Sequence, residues 1–403
     1  MSRGLRIAVV KPDWGIRGGA EHVIDRLVAF LGDDGHDVTP RFIPVADLPR
    51  TVYRMVVPDR VWDGAPEYFR YLALLDAVSQ VDVGDADLVL TTQPPSFAVD
   101  HPHHLSIFYH HLRVFYDLEA AYLAAGFVTD RTVHDAARDH VRHLDQSRLE
   151  RVTQFLAPPV TARRLARFNG IDGVEVFHAG VDFDRSAEPS SGAVAPPTSG
   201  AVLCVSRSEF SKRTELFVHA MKYLAPTPAT LIGSGGRLRW VQHLDEVLSA
   251  PGAELDAVTP ADLWCNPGRA PRRMRHRRAL RSNVDFAGRV DGPTLGRAYR
   301  RATCVVAPAL DEDYGLTAIE AMAVGRPVIC CHDGGGLAEI VTDGVDGLVV
   351  EPTGRAIADA VESLLADPGR ACAMGAAARE KAAGYSWKRA REELRRAVDQ
   401  VMA

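Results

Sequence analysis

The chain alternates short apolar runs with longer stretches of helical periodicity. Residues 5–10 read as a buried strand, a Gly-rich loop follows, and residues 20–31 repeat their apolar positions at helical spacing. Gly35-His36 then turns into a second strand at 38–43. A strand–helix–strand start with fully apolar strands predicts a parallel sheet covered on both faces. Strand-like runs recur at 88–91, 105–109, 152–156 and 174–177, separated by helical segments that include 130–143 and 160–168, the latter opened by Pro158-Pro159. Residues 44–79 read as irregular. These elements predict one doubly wound α/β domain over 1–185.

Pro189, Pro196 and Pro197 lie among serines, glycines and alanines, so 186–200 reads as an exposed linker. From 201 to 375 the alternation starts again, with strands expected at 202–205, 230–232, 284–286, 304–307, 328–331 and 348–350. This predicts a second doubly wound domain. Residues 376–403 end in a helical pattern from Trp387 to Met402.

Composition narrows the class. The 403 residues suffice for two full cores, and 46% hydrophobic with 25% charged residues is ordinary for a globular protein. A net charge of −5 predicts no general affinity for nucleic acid. The apolar runs are too short to span a membrane, and Met1-Ser2-Arg3-Gly4 leads directly into a strand, so no signal peptide is expected. The six cysteines show no framework spacing; Cys204, Cys304, Cys330 and Cys331 fall in expected buried strands, which fits a reducing cytoplasm. Only five of the 47 basic residues are lysines, and Lys11 and Lys212 both fall on loops after strands, beside places where a phosphate would sit.

The most informative chemistry lies at 308–336. An apolar strand is followed by a loop carrying Asp311, Glu312 and Asp313; Gly315 then opens a helix through Val324, and Gly325 closes it. Glu312 on the loop and Glu320 in the helix are eight positions apart. The amides of Gly315, Leu316 and Thr317 at the helix start suit an anion. The two carboxylates can accept hydrogen bonds from hydroxyls. Phosphate flanked by hydroxyls is what a nucleotide sugar presents. The bland alternative is an ordinary strand–loop–helix with a solvated acidic loop.

Glu312 and Glu320, followed by Ala321-Met322-Ala323-Val324-Gly325-Arg326-Pro327-Val328, resemble the donor-site signature of family 4 retaining glycosyltransferases. Other parts follow in the family's order: Gly18-Gly19-Ala20-Glu21, Ala179-Gly180-Val181-Asp182, Arg207 with Lys212, Leu231-Ile232-Gly233-Ser234-Gly235, and Phe286-Ala287-Gly288-Arg289-Val290. The resemblance implies the GT-B fold: two doubly wound Rossmann-like domains facing a central cleft, an acceptor-binding one at 1–185 and a nucleotide-sugar-binding one at 201–375. The C-terminal helices, 376–403, would cross back to the first domain.

It further implies transfer of a hexose from a nucleotide-diphosphate sugar, UDP- or GDP-linked, to a natural product, glycan or lipid-linked sugar, forming an α-linkage without a metal or other cofactor. Arg207 and Lys212 would hold the diphosphate. Glu312 would accept from the donor sugar and Glu320 from the ribose. Gly18 and Gly19 would let backbone approach the donor, or would simply cap a helix, and Arg289 and Val290 would lie beside the base. His110 would face the reacting sugar, with His111 its rival in the alignment. The cluster of His101, His103, His104, His110 and His111 could in principle hold a metal, but no cysteine or nearby acid completes a site. Acceptor choice would lie in 44–79, where Tyr53, Trp62, Tyr68, Phe69 and Tyr71 either stack on a ligand or cover the core. Arg269, Arg272, Arg273, Arg275, Arg277, Arg278 and Arg281 form a stretch without acids that would be a solvated loop, or else a contact with an anionic acceptor, partner or lipid surface. Two competing functions are an epimerase of the same fold and a non-catalytic nucleotide-sugar-binding subunit.

Overall fold

A computed structural model describes residues 4–16, 18–48, 56–181, 200–274 and 282–403. The chain forms two compact units, residues 1–180 with 387–403, and residues 181–386. In the first, the strands are β1 (Arg6–Asp13), β2 (Asp37–Pro44), β3 (Leu88–Thr91), β4 (His104–Ile107), β5 (Gln154–Ala157) and β6 (Glu175–Val176), in the order β2-β1-β3-β4-β5-β6. Every pairing is parallel. Ile7, Ala8, Val9, Val10, Leu88, Val89 and Leu90 are all buried, so both faces of these strands are covered, which accounts for the unbroken apolar runs in the sequence.

The final helix, Trp387–Met402, belongs to this first unit. Arg391 and Arg395 both donate to Asp34 at the end of the first helix, and their hydrogen bonds hold its carboxyl down at about 2. Glu393 accepts from the His178 amide at 2.8 Å and contacts its ring at 3.0 Å. A Cβ on Gly180 would lie 2.5 Å from the Trp387 nitrogen, so a glycine is needed where this helix starts. The preceding helix, Pro368–Ala382, stays in the second unit, so the chain returns from Trp387 and not from 376.

Residues 44–79 are more regular than their composition suggests. They hold the helices Asp59–Gly64 and Pro66–Ser79, the second opened by proline and burying Phe69, Tyr71, Leu74, Leu75 and Val78. The aromatics here pack within the unit: Trp62 stacks on Phe69 at 5.1 Å, Tyr68 bonds His140 at 2.7 Å, and Tyr71 donates to Asp145 at 2.6 Å. Tyr53 lies outside the described residues.

The second unit contains β7 (Ala201–Val205), β8 (Ala229–Ile232), β9 (Val284–Gly288), β10 (Ala302–Ala307), β11 (Val328–Cys331) and β12 (Gly347–Val350). Their order, β12-β11-β10-β7-β8-β9, is again all parallel. The succession runs outward one way from β7 and the other way from β10. Cys204, Cys304, Cys330 and Cys331 lie in its core, where burial pushes their thiols up to about 12. Of the arginine-rich stretch, Arg269, Arg272 and Arg273 sit in short 3-10 turns, and Arg273 pairs with Asp262 at 2.6 Å. Arg275, Arg277, Arg278 and Arg281, and the linker from 186 to 199, lie outside the described residues. Among the described residues no helix is long and apolar enough to cross a membrane.

One buried acid in the first unit gives a pH test. Asp145 accepts from Tyr71 and, at 2.8 Å, from Tyr116, yet burial pushes its carboxyl up to about 7 from 3.8. The folded state therefore binds the extra proton between about pH 4 and pH 7, and this group's contribution to stability is lost as pH rises through that window. Asp145→Asn cannot titrate. Its unfolding free energy from urea titration should gain on the wild type as pH rises from 4 to 7, by up to about 4 kcal/mol, and level off above; a pH-independent difference would contradict this.

Candidate active site

In the second sheet the crossovers leave β7 and β10 in opposite directions, and open α/β sheets bind ligands at the carboxyl end of such a pair. The loop after β7 carries Arg207 and Lys212; the loop after β10 carries Glu312. The Lys212 ammonium meets the Glu312 carboxylate at 2.5 Å across 100 residues of sequence. Both side chains are four-fifths buried.

Arg213 holds these two loops together. Its guanidinium donates to the carbonyls of Pro308 (2.8 Å) and Ala309 (3.2 Å) and, by two nitrogens, to Asp333 (2.8 and 2.5 Å). Its backbone is left-handed, φ 48°, which a non-glycine residue adopts only at some cost. The same loops are tied through backbone by Leu310 N–H to the Ser211 carbonyl at 2.7 Å. On the other side, Glu312 N–H donates to Gly334 and Gly336 N–H to Glu312, at 3.0 and 2.7 Å. A Cβ on Gly335, φ 57°, would fall 2.7 Å from the Asp311 backbone, so the glycine tract 334–336 is what lets the acidic loop lie down. No sequence pattern singles out Arg213; its partners lie about 95 to 120 positions away.

Gly315, φ 94°, opens the helix Leu316–Ala323. Ala318 and Ile319 are the first to donate back, both to the Gly315 carbonyl, so the amides of Leu316 and Thr317 precede the helical ladder. Glu320 accepts from the buried Tyr299 hydroxyl at 2.8 Å, which fixes its rotamer. Arg207 is exposed, and its side chain has no partner among the described residues. Gly233 and Gly235 lie against its loop: a Cβ on either would come within 2.5 Å of the Ser206 or Ser208 carbonyl. Arg289 is exposed just beyond β9, and Val290 is half-buried against the core. Thus the structure gathers Lys212, Glu312, Gly315, Leu316 and Thr317 on joined loops, with Arg207 on one of them.

In the first unit Gly18 caps the helix Gly19–Asp33, its N–H donating to Glu21 at 3.0 Å; its φ of −143° is extended, so the turn makes no demand that only glycine meets. His110 follows β4, half-buried, with Nδ1 2.7 Å from the His111 carbonyl. His111 is buried: its Nε2 bonds Asn169 at 2.8 Å and its ring stacks on Tyr116 at 4.2 Å. His104 is buried against Thr91, its imidazole pushed down to about 3 by burial, and His101 bonds the Ala86 carbonyl. The histidines thus serve separate partners. Among the described residues the group with metal-ligand spacing is Glu119, His134 and Asp135. Its carboxylates are already matched by Arg138 at 2.8 and 3.0 Å and by Arg131 at 2.8 Å, a set that fits a structural ion cluster better than a cation site.

Arg213 separates two effects in one test. Arg213→Gly deletes the guanidinium but relaxes the left-handed backbone; Arg213→Lys keeps the charge and the strain but loses the planar fork that reaches both carbonyls and Asp333 together. Both should lower stability in urea titration by roughly 2–4 kcal/mol, the glycine variant less. Wild-type stability in the lysine variant would remove the strut from the account.

Residues 271–381 match the model of the family described as Glycosyl transferases group 1. Over 115 residues the chain is 44% identical to the D-inositol 3-phosphate glycosyltransferase of Kribbella flavida, covering 27% of each chain. Over 229 residues it is 31% identical to the lipopolysaccharide core biosynthesis mannosyltransferase LpcC of Rhizobium leguminosarum bv. viciae, covering 56% of this chain and 55% of that one. The chain therefore spans from about a quarter to just over half the length of these curated relatives. Among solved structures, sucrose-phosphate synthase from Thermosynechococcus elongatus matches with a TM-score of 0.69 at 21% identity over 98% of both chains. Anabaena HepE, solved with UDP-glucose, matches with a TM-score of 0.65 at 14% identity over 98% of this chain and 100% of that one. At these identities the likeness concerns the fold.

Proposed function

For a chain that belongs to the group 1 glycosyltransferases and has their GT-B fold, we propose a retaining transfer: a hexose moves from a nucleotide-diphosphate sugar to an acceptor hydroxyl, without a metal ion. The observation that carries this reading is the Lys212–Glu312 contact on the joined loops after β7 and β10.

Departure of a nucleoside diphosphate leaves negative charge on phosphate oxygens while positive charge grows on the sugar. Fixed cations and amides stabilise the first without reorganising. An ammonium has three N–H groups, so Lys212 can hold Glu312 with one and phosphate oxygens with the others. Arg207 can add a two-pronged contact, and the amides at Gly315, Leu316 and Thr317 a dipole of the right sign. Glu312, oriented by Lys212, then accepts from a hydroxyl of the donor sugar. Glu320, oriented by Tyr299, is assigned to the ribose, and Arg289 and Val290 to the base.

His110 follows β4 with Nδ1 on the His111 carbonyl, and we assign its ring to a hydroxyl of the transferred sugar. His111 is committed to Asn169 and Tyr116 and is assigned to packing. A front-face displacement through an ion pair is the mechanism we assign, with a covalent intermediate as the minor option. The solved HepE complex with UDP-glucose supports a nucleotide-sugar donor, and the inositol-phosphate and mannosyl transferases among the relatives support sugar transfer to a hydroxylated acceptor. The reducing cytoplasm remains the proposed compartment.

Arg207→Ala and Lys212→Ala should each lower turnover by about 10²-fold or more, measured as nucleoside diphosphate released with candidate acceptors present. Near-normal turnover in both would remove the diphosphate assignment; nucleotide released together with free sugar and no glycosylated product would point to an epimerase, and nucleotide-sugar binding without any nucleotide release to a non-catalytic subunit.

Activity in excess chelator should remain within a few-fold of normal, and proton NMR of the product should show an α-linkage from an α-linked donor. Loss in chelator that magnesium or manganese restores would return the Asp311–Asp313 loop to consideration as a ligand set; a β-linkage would sink retention.

A further inference from the structure

The carboxyl edge of the first sheet collects polar atoms that are buried with too little to bond. Lys11, in β1, is 4% exposed. Its one hydrogen bond is long, 3.4 Å, to the carbonyl of Pro12, and the Phe42 ring lies 4.6 Å from its ammonium. No carboxylate among the described residues pairs with it. The register Val10↔Thr91 sets Lys11 beside Thr92 on the next strand line. Thr92 is 1% exposed and its hydroxyl has no partner among the described residues. Gln93 is buried too; its amide nitrogen donates to Glu21 at 3.2 Å, while its amide oxygen has no partner among them. Tyr109, just past β4, has a buried hydroxyl that likewise has no partner among the described residues, and its phenol is raised by burial and then by the Glu21 charge.

These atoms come from the ends of β1, β3 and β4. In this sheet β1 and β3 are the neighbours whose connections diverge, the counterpart of β7 and β10 in the other. An unpartnered buried oxygen is destabilising, and an ammonium without counter-charge more so. Native folds carry few such atoms, and a grouping of them at a sheet's ligand-binding edge is met by ordered water, an ion or a ligand.

We propose that this edge binds an anionic polyol, its phosphate or carboxylate on Lys11 and its neighbouring hydroxyls on Thr92, Gln93 Oε1 and Tyr109. Naming this ligand the sugar acceptor rests on the function proposed above; the site itself does not. Glu21 fixes the orientation. Its carboxylate takes the Gly18 amide and the Gln93 amide but not Lys11, so the end near Tyr109 and Gln93 repels an anion and accepts hydroxyls.

Three probes of matched ring test this by calorimetric titration of the full chain: glucose, glucose 6-phosphate and glucuronate. A charge-assisted contact predicts that at least one anionic sugar binds about tenfold or more tightly than glucose, and which one does so separates phosphate from carboxylate recognition. Lys11→Met should abolish that preference and leave glucose within a few-fold. Thr92→Val and Tyr109→Phe should weaken glucose and the anionic sugar by similar factors. Lys212→Ala should leave the preference intact; its loss there would place the anion on the diphosphate loops and overturn the proposal. Equal affinities of the wild type for all three probes, no binding of either anionic sugar, or a preference that survives Lys11→Met would also overturn it. Should Lys11→Met melt early, the wild-type and Lys212→Ala comparisons decide. Transfer from a nucleotide sugar is assayed separately: anionic-sugar binding through Lys11 without transfer keeps this site and removes the reaction, and the converse result does the reverse.

Discussion

Two parallel neighbours whose crossovers diverge leave a gap that no connecting helix covers, and the chemistry of this chain depends on how each gap is treated. In the second unit it is spanned from within. Arg213 reaches from the β7 loop to two carbonyls of the β10 loop and on to Asp333, and Lys212 and Glu312 meet beside it. Buried carbonyls need donors, and a planar cation with five N–H groups supplies several at fixed angles. In the first unit the corresponding edge has no such strut among the described residues. Lys11, Thr92 and Tyr109 stay short of partners, while the nearby loop after β4 is held elsewhere, by Arg113 on Asp117, Arg142 on the Phe115 carbonyl and Thr161 on the Tyr109 carbonyl.

The parallel sheets were legible because strands buried on both faces leave uninterrupted apolar runs; residues 88–91 and 328–331 were located to the residue. The helix Pro66–Ser79 was not, because its buried positions are taken by aromatics that also suit a lid. The proximity of Glu312 to a helix start could be read from local order, but its contact with Lys212 could not: that depends on sheet order, which brings β7 beside β10. Arg213 left no local signal at all. His111 is held by Asn169 and Tyr116, residues whose nearness to the β4 loop no spacing rule supplies.

Basic residues divide their labour unevenly. Arginine does much of the internal bracing: Arg237 pairs with the fully buried Glu215, and Arg142 lies over the rings of Tyr116 and Phe168. The scarcity of lysine did not by itself mark function. Lys222 is buried against Asp245, and Lys381 braces Asp346 and Thr342. What distinguishes Lys11 and Lys212 is position at the carboxyl ends of strands next to a divergence in strand order.

The placement of Trp387–Met402 has a consequence for how the chain is made. The second unit is contiguous in sequence, whereas the first is interrupted by it: some two hundred residues separate Gly180 from the helix that closes the first unit on Asp34 and His178. On a ribosome the half begun first is therefore completed last. Until Trp387 onward emerges, the first sheet waits without that covering helix, and the second unit has the whole of its own sequence in hand to fold in the meantime.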